Sequence, residues 1–143
     1  MRLVRQVLKD IVGGRKLVIR VSLMVLRVAE ILALILGILF WTNVSNSTAL
    51  MVVHGLIGIV VVLSLWVLGL AQAREGGSFG LAVATFVLGF LVLLVGLFQM
   101  NWLPGSYHWI IQVIHLILGL SAIGLGERIG GQHKRMLAEK AAS

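Results

Sequence analysis

Four long apolar stretches constrain this chain more than any other feature of its sequence. Each is long enough to cross the hydrocarbon core of a bilayer, which takes about 20 apolar residues in a helix. The stretches are Leu17–Trp41, Ala49–Ala73, Ser78–Met100 and Ser106–Gly126. Of the 143 residues, 59% are hydrophobic and 12% are charged, whereas soluble domains carry about 25% charged residues. We therefore predict an all-α, integral membrane four-helix bundle with up-down-up-down topology, whose first partner is the lipid bilayer.

The segment before the first span predicts a separate surface helix. Its apolar residues recur at helical i, i+3, i+4 spacing, and its charged residues occupy the opposite face. We assign residues 1–14 to an N-terminal amphipathic helix at the membrane interface, with Gly13-Gly14 as a hinge into the first span. Residues 15–128 form the bundle, and residues 129–143 form a polar cytoplasmic tail.

The basic residues predict how the bundle is oriented. They precede the first span, follow the fourth, and include Arg74 between the second and third, whereas the connections TNVSNST and NWLPG carry no charge. Since basic loops stay in the cytoplasm, we expect a multi-pass protein of the inner (cell) membrane with both termini cytoplasmic. This topology also explains the net charge of +7, so no nucleic-acid partner is expected.

The two halves of the chain repeat a pattern of glycine and histidine. Gly37, in GILFWTN near the end of the first span, recurs 59 residues later as Gly96, in GLFQMN. His54, near the start of the second span, recurs 61 residues later as His115, and a glycine follows each histidine by four residues. The chain therefore predicts two tandem helical hairpins, related by an approximate two-fold axis along the membrane normal.

This repeat predicts a haem site. The second and fourth helices of such a bundle are diagonal neighbours, so His54 and His115 can face one central volume at similar depth in the outer half. Two neutral imidazoles facing each other can serve as the axial ligands of a haem iron. Gly37 and Gly96 lie near the histidine level and leave space for the flat ring. The absence of cysteine excludes covalent c-type attachment.

The chain resembles the four-helix membrane b-type cytochromes, including the haem-bearing bundle of the quinol–cytochrome c oxidoreductase cytochrome b. The resemblance spans roughly residues 17–126 and rests on the paired histidines and glycines described above. It implies that the histidines are the metal ligands and that the glycines pack against haem. Two-haem members carry a second histidine about four helical turns further along each ligand helix. Here the corresponding stretches are Val67–Gly69 and Gly126–Ile129, so one haem b is expected.

Three further polar residues lie near the ends of the fourth span. His108 precedes His115 by seven residues on the same face and is a rival ligand, although its place near the outer interface better suits a haem-edge or propionate contact. Gln112 shares this stripe, where it can hydrogen-bond a ligand or propionate or can pack between helices. His133 lies in the polar tail, where we expect it to be solvated.

Arg27 and Glu30 are ionisable residues within the first span. Such residues are costly in a bilayer and are candidates for function. At i,i+3 spacing the two can form an ion pair, with Glu30 facing the bundle interior. A structural ion pair, a subunit contact and a role linked to protons or quinone all remain open for them.

Three functions follow from these features. The favoured one is a small cytochrome that moves single electrons between its haem and a quinone or periplasmic partner, as a carrier or within a membrane oxidoreductase. The second is a non-haem accessory subunit of a larger membrane complex, and the third is a small proton-coupled transporter that uses Glu30. A homo-oligomer is compatible with each of them.

Overall fold

The computed structural model describes residues 2–44, 47–74 and 77–142, which are almost entirely helical. The four long helices are α1 (Arg2–Trp41), α2 (Thr48–Arg74), α3 (Phe79–Phe98) and α4 (His108–Ala142). Two short 3₁₀ turns, Gln99–Asn101 and Gly105–Tyr107, connect α3 to α4. Each long helix includes a stretch that is long and apolar enough to cross a membrane. The predicted all-α four-helix bundle is confirmed.

Short connections make consecutive helices antiparallel neighbours. The α1–α2 turn begins with Thr42, whose hydroxyl donates to the carbonyl of Ile38 at 2.8 Å. At the start of α3, the Ser78 hydroxyl accepts a hydrogen bond from the Leu81 N–H, a usual N-terminal cap. Besides the sequential neighbours, α1 packs against α4, and α2 contacts α4 across the diagonal. The two helices that carry the paired histidines therefore meet in the centre of the bundle.

The side chains fill the two ends of the bundle differently. We call the end with the 42–47 and 99–107 connections the outer end, and the opposite end the inner end. The largest side chains that are fully buried all lie in the inner half: Leu26, Leu65, Leu68, Ile129, Gln72, Val62 and Thr85. Close packing of this kind leaves little room for a ligand. Any internal site must therefore lie toward the outer end.

Glycines allow the close helix contacts of the inner half. A Cβ added at Gly126 would lie 2.4 Å from Leu26 Cδ2, and one at Gly130 would lie 2.7 Å from Leu23 Cδ2. Both leucines belong to α1, so the glycines let α1 approach α4 closely. These contacts set the antiparallel register between the two helices.

The ends of the chain differ from the sequence prediction. Helix α1 runs through Gly13-Gly14 without interruption, because each glycine costs only about 1 kcal/mol in a helix interior. The predicted hinge is therefore wrong, while the side chains of residues 1–12 lie outside those described and their interfacial position stays a prediction. Residues 129–142 continue α4 as a helix. His133 is only 8% exposed, so the prediction that it is solvated is also wrong.

Candidate functional site

His54 on α2 and His115 on α4 face each other inside the outer half of the bundle. Their ring centroids lie 6.2 Å apart and the ring planes are inclined by 60°. The Nδ1 atoms of both rings are buried, and neither has a hydrogen-bond partner among the described residues. The structure thus brings together the two histidines that the sequence repeat singled out, and their role as metal ligands stays a prediction.

Each histidine is matched by one of the predicted glycines. A Cβ at Gly37 would lie 3.8 Å from His54 Cε1, and a Cβ at Gly96 would lie 3.3 Å from His115 Cε1. The first contact joins α1 to α2 and the second joins α3 to α4. The two hairpins therefore repeat the same glycine–imidazole contact, in agreement with the predicted tandem arrangement.

A cavity of about 360 Å³ surrounds the two histidines. Its lining includes every predicted site residue: His54, His115, Gly37, Gly96, His108 and Gln112. Apolar side chains, among them Leu34, Met51 and Leu116, form much of the remaining wall. The cavity is thus largely apolar with a few polar groups, as is usual for cofactor sites.

His108 lies at the outer mouth of this cavity, in the first turn of α4. Its Nδ1 is 3.3 Å from the backbone carbonyl oxygen of Trp102, a contact that turns the ring toward the α3–α4 connection. Gln112 is one turn further along α4 and lines the cavity between His108 and His115. His108 is therefore better placed for a contact at the cavity mouth than for the role of a rival ligand.

Glu30 does not pair with Arg27 as the sequence spacing suggested. Arg27 donates from Nε and Nη2 to the carboxylate of Glu127 on α4, at 2.5 and 2.8 Å. Glu30 instead points into the cavity, where its Oε1 occupies the space beside Gly119 and would lie 2.6 Å from an added Cβ. The i,i+3 pair fails because the side chains of Arg27 and Glu30 extend toward different parts of α4.

Phe40 and Gly119 are site residues that sequence reasoning missed. The Phe40 ring contacts the His54 ring edge-on, with centroids 5.6 Å apart. The glycine repeat did contain a signal for Gly119, because it follows His115 by one turn of the helix. Glu30 packs against Gly119 only because of the register between α1 and α4, which the sequence does not show.

The number of protein ligands limits the metal chemistry of this site. The described residues contain no group of three or more His, Cys, Asp or Glu side chains placed to hold a metal ion. Protein-only sites usually need three or four such ligands. Two facing imidazoles are sufficient when a chelating ring supplies the other metal bonds.

Comparison with known proteins adds no assignment, since no family model, curated protein or solved structure matches this chain. The function must therefore be argued from the site itself.

Proposed function

We propose that this protein is a membrane b-type cytochrome that binds one haem b between His54 and His115 and transfers single electrons. The observation that carries this proposal is the paired histidines in the cavity of the outer half. The bundle fills its inner half with its own side chains, whereas the outer half contains a cavity with two facing imidazoles. A flat apolar cofactor would complete the packing there.

The separation of the imidazoles fits coordination of one metal ion. An imidazole nitrogen binds a transition metal at about 2.0–2.1 Å, so two rings on opposite sides of one ion have centroids roughly 6 Å apart. The observed 6.2 Å agrees with this value. Gly37 and Gly96 give the rings room to adjust.

The residues around the cavity would each do a separate task. His54 and His115 would hold the cofactor, and His108 with Gln112 would offer hydrogen bonds to its polar edge near the cavity mouth. Apolar side chains exclude water, which keeps the electrostatic effect of nearby charges large. When bound, the haem supplies a one-electron iron couple whose potential depends on its ligands and on nearby charge.

The distribution of basic residues supports one orientation of the protein in the membrane. Basic residues flank the inner end and the outer connections carry no charge, so we place the protein in the inner membrane with both termini in the cytoplasm. The cavity would then lie toward the periplasmic side. A membrane-soluble quinone or a periplasmic redox protein would be the electron partner, and the protein would act as a carrier or in a membrane oxidoreductase.

An absorption spectrum of the purified protein tests the proposal. The protein is expressed with an adequate haem supply and purified in mild detergent, and spectra are recorded in the oxidised and dithionite-reduced forms. We expect a Soret band and sharp reduced α and β bands, with one haem per chain by pyridine haemochrome assay. A folded protein that takes up no haem in the cell or on reconstitution would refute the proposal.

The transporter hypothesis has one specific observation in its favour. Glu30 places a carboxylate on the wall of the same cavity, beside Gly119. A proton-coupled transporter needs such a group at a site that its substrate can reach. Because the two hypotheses give Glu30 different tasks, substitution of this residue separates them.

A further inference from the structure

The seam between α1 and α4 has a fixed antiparallel register. Arg27 pairs with Glu127 across it, and Leu23 packs against Gly130. Moving toward the inner end by seven residues on each helix covers two turns and returns to the same face. The register therefore identifies which exposed residues lie opposite one another below the ion pair.

Two cations occupy the next opposed position. Seven residues from Arg27 and Glu127 toward the inner end lie Arg20 on α1 and Lys134 on α4, and both are exposed. Among the described residues, neither side chain forms a salt bridge or a side-chain hydrogen bond, and Lys134 has only a longer-range electrostatic attraction to Glu127. The seam thus places a cation opposite a carboxylate at one level and a cation opposite a cation at the next. Like charges on facing helices repel, and an anion between them would remove that repulsion.

The surface between these two levels has room for a ligand. Gly131 on α4 is exposed, and a Cβ added there would meet no atom within 4 Å. It lies on the face between Glu127 and Lys134, so α4 presents no side chain there. The α1–α4 seam therefore has an open notch beside the two cations.

An apolar stripe leads from the notch toward the outer end. Continuing from Arg20 at helical i, i+4 and i, i+3 steps, α1 exposes Met24, Val28, Ile31 and Ile35, each at least half exposed. In a helix long enough to cross a membrane, such a stripe faces lipid chains. A notch beside two cations, joined to an apolar stripe, matches a molecule with an anionic head and a hydrocarbon tail.

We propose that the α1–α4 seam binds an anionic phospholipid, with its phosphate between Arg20 and Lys134 and an acyl chain along the exposed stripe of α1. Arg27 is paired with Glu127, so it does not compete for the phosphate. Basic pockets between membrane helices bind lipid head groups in this way. The proposal concerns a surface outside the histidine cavity and holds whether or not haem binds.

Lipid binding to the purified full chain tests this site. The protein is delipidated in neutral detergent and titrated with phosphatidylglycerol or phosphatidylcholine, and bound lipid is counted by native mass spectrometry. We expect phosphatidylglycerol to bind with a clear preference. Arg20→Gln and Lys134→Gln should each weaken its apparent affinity about fivefold, the effect of one basic residue near a membrane surface. Arg74→Gln, which removes a cation from the inner end of α2, should leave it unchanged.

A variant that reverses the charge of Arg20 separates loss of the lipid site from misfolding of the protein. Arg20→Glu places a carboxylate on α1 opposite Lys134 on α4, which gives an opposite-charge pair like Arg27 with Glu127 but with the two helices exchanged. This variant should stay folded in phosphatidylcholine, judged by its thermal midpoint, and should lose the preference for phosphatidylglycerol. Retention of the preference would overturn the proposal.

Two further outcomes would also overturn it. An equal loss of affinity in Arg74→Gln would show a general attraction of the inner end for anions. A third titration uses inorganic phosphate alone. The second outcome is that phosphate stabilises the protein as strongly as phosphatidylglycerol does, with no further stabilisation when the lipid is added. In that case the site binds a free anion and not a lipid.

Discussion

His54 and His115 are separated by most of two membrane-length helices in sequence, yet their ring centroids lie 6.2 Å apart. They meet because α2 and α4 are the diagonal helices in contact. Each ring is also backed by a glycine of the preceding helix. The same glycine–imidazole contact is made in both hairpins, so the two rings lie at one depth of the bundle in equivalent surroundings.

On the cytochrome proposal, this relationship predicts which histidines would hold the haem. His54→Ala or His115→Ala should each abolish the six-coordinate absorption spectrum, because each removes one of the two imidazoles that would hold the haem. His108→Ala should largely keep it, since the His108 ring is turned toward the Trp102 carbonyl. Optical and electron paramagnetic resonance spectra of the three variants provide the measurement. A full six-coordinate spectrum in His115→Ala would contradict the assignment and favour His108.

The glycine contacts predict a loss of haem on overpacking. Gly37→Leu and Gly96→Leu place a branched side chain against the His54 and His115 rings, where even a Cβ would lie at 3.8 and 3.3 Å. Overpacking of this kind costs about 1–3 kcal/mol, and the rings must move to relieve it. Haem content per chain should therefore fall in both purified variants.

The choice of control for this experiment depends on the structure. Gly69 lies near the inner end of α2, far from the cavity, but a Cβ at that position would lie 1.9 Å from Thr85 Oγ1. Gly69→Leu would therefore disrupt the packed inner half. Gly124 has no atom within 4 Å of an added Cβ, so Gly124→Leu is the matched control and should retain full haem. Equal haem content in all variants would show that the glycines serve helix packing alone.

The ion pair between Arg27 and Glu127 predicts a charge dependence of stability. Glu127→Gln should lower the thermal midpoint, because the Arg27 guanidinium loses the opposite charge and one of its two hydrogen-bond acceptors. The double variant Arg27→Glu with Glu127→Arg should recover part of the loss by restoring an opposite-charge pair. Thermal unfolding in one detergent measures both effects. A double variant that is no more stable than either single variant would indicate that the pair contributes nothing.

Sequence reasoning found the parts of this fold that follow from local pattern. Apolar length gave the four helices, and the repeat gave His54 and His115 with their glycines. It missed the contacts that depend on the register between distant helices. Arg27 had a candidate acceptor one turn away in Glu30, and only the α1–α4 packing shows that Glu127 is the acceptor instead. His133 was misjudged for the same reason, because its polar surroundings in sequence conceal a buried position in α4.

The task of Glu30 separates the redox protein from the transporter. Glu30 lines the cavity that holds both histidines, and Arg27 is engaged elsewhere. In a cytochrome, an ionised Glu30 would favour the oxidised, more positive haem, since opposite charges attract strongly where water is excluded. Glu30→Gln should therefore raise the midpoint potential while the haem content stays the same.

In a transporter, the same change should abolish proton-coupled flux in proteoliposomes that contain no haem. Glu139→Gln, which removes an exposed carboxylate near the end of α4, is the control and should change neither quantity. If the midpoint potential is equal in the unmodified protein, Glu30→Gln and Glu139→Gln, Glu30 has a packing role beside Gly119. If haem-free protein shows flux that depends on Glu30, the transporter hypothesis replaces the cytochrome proposal.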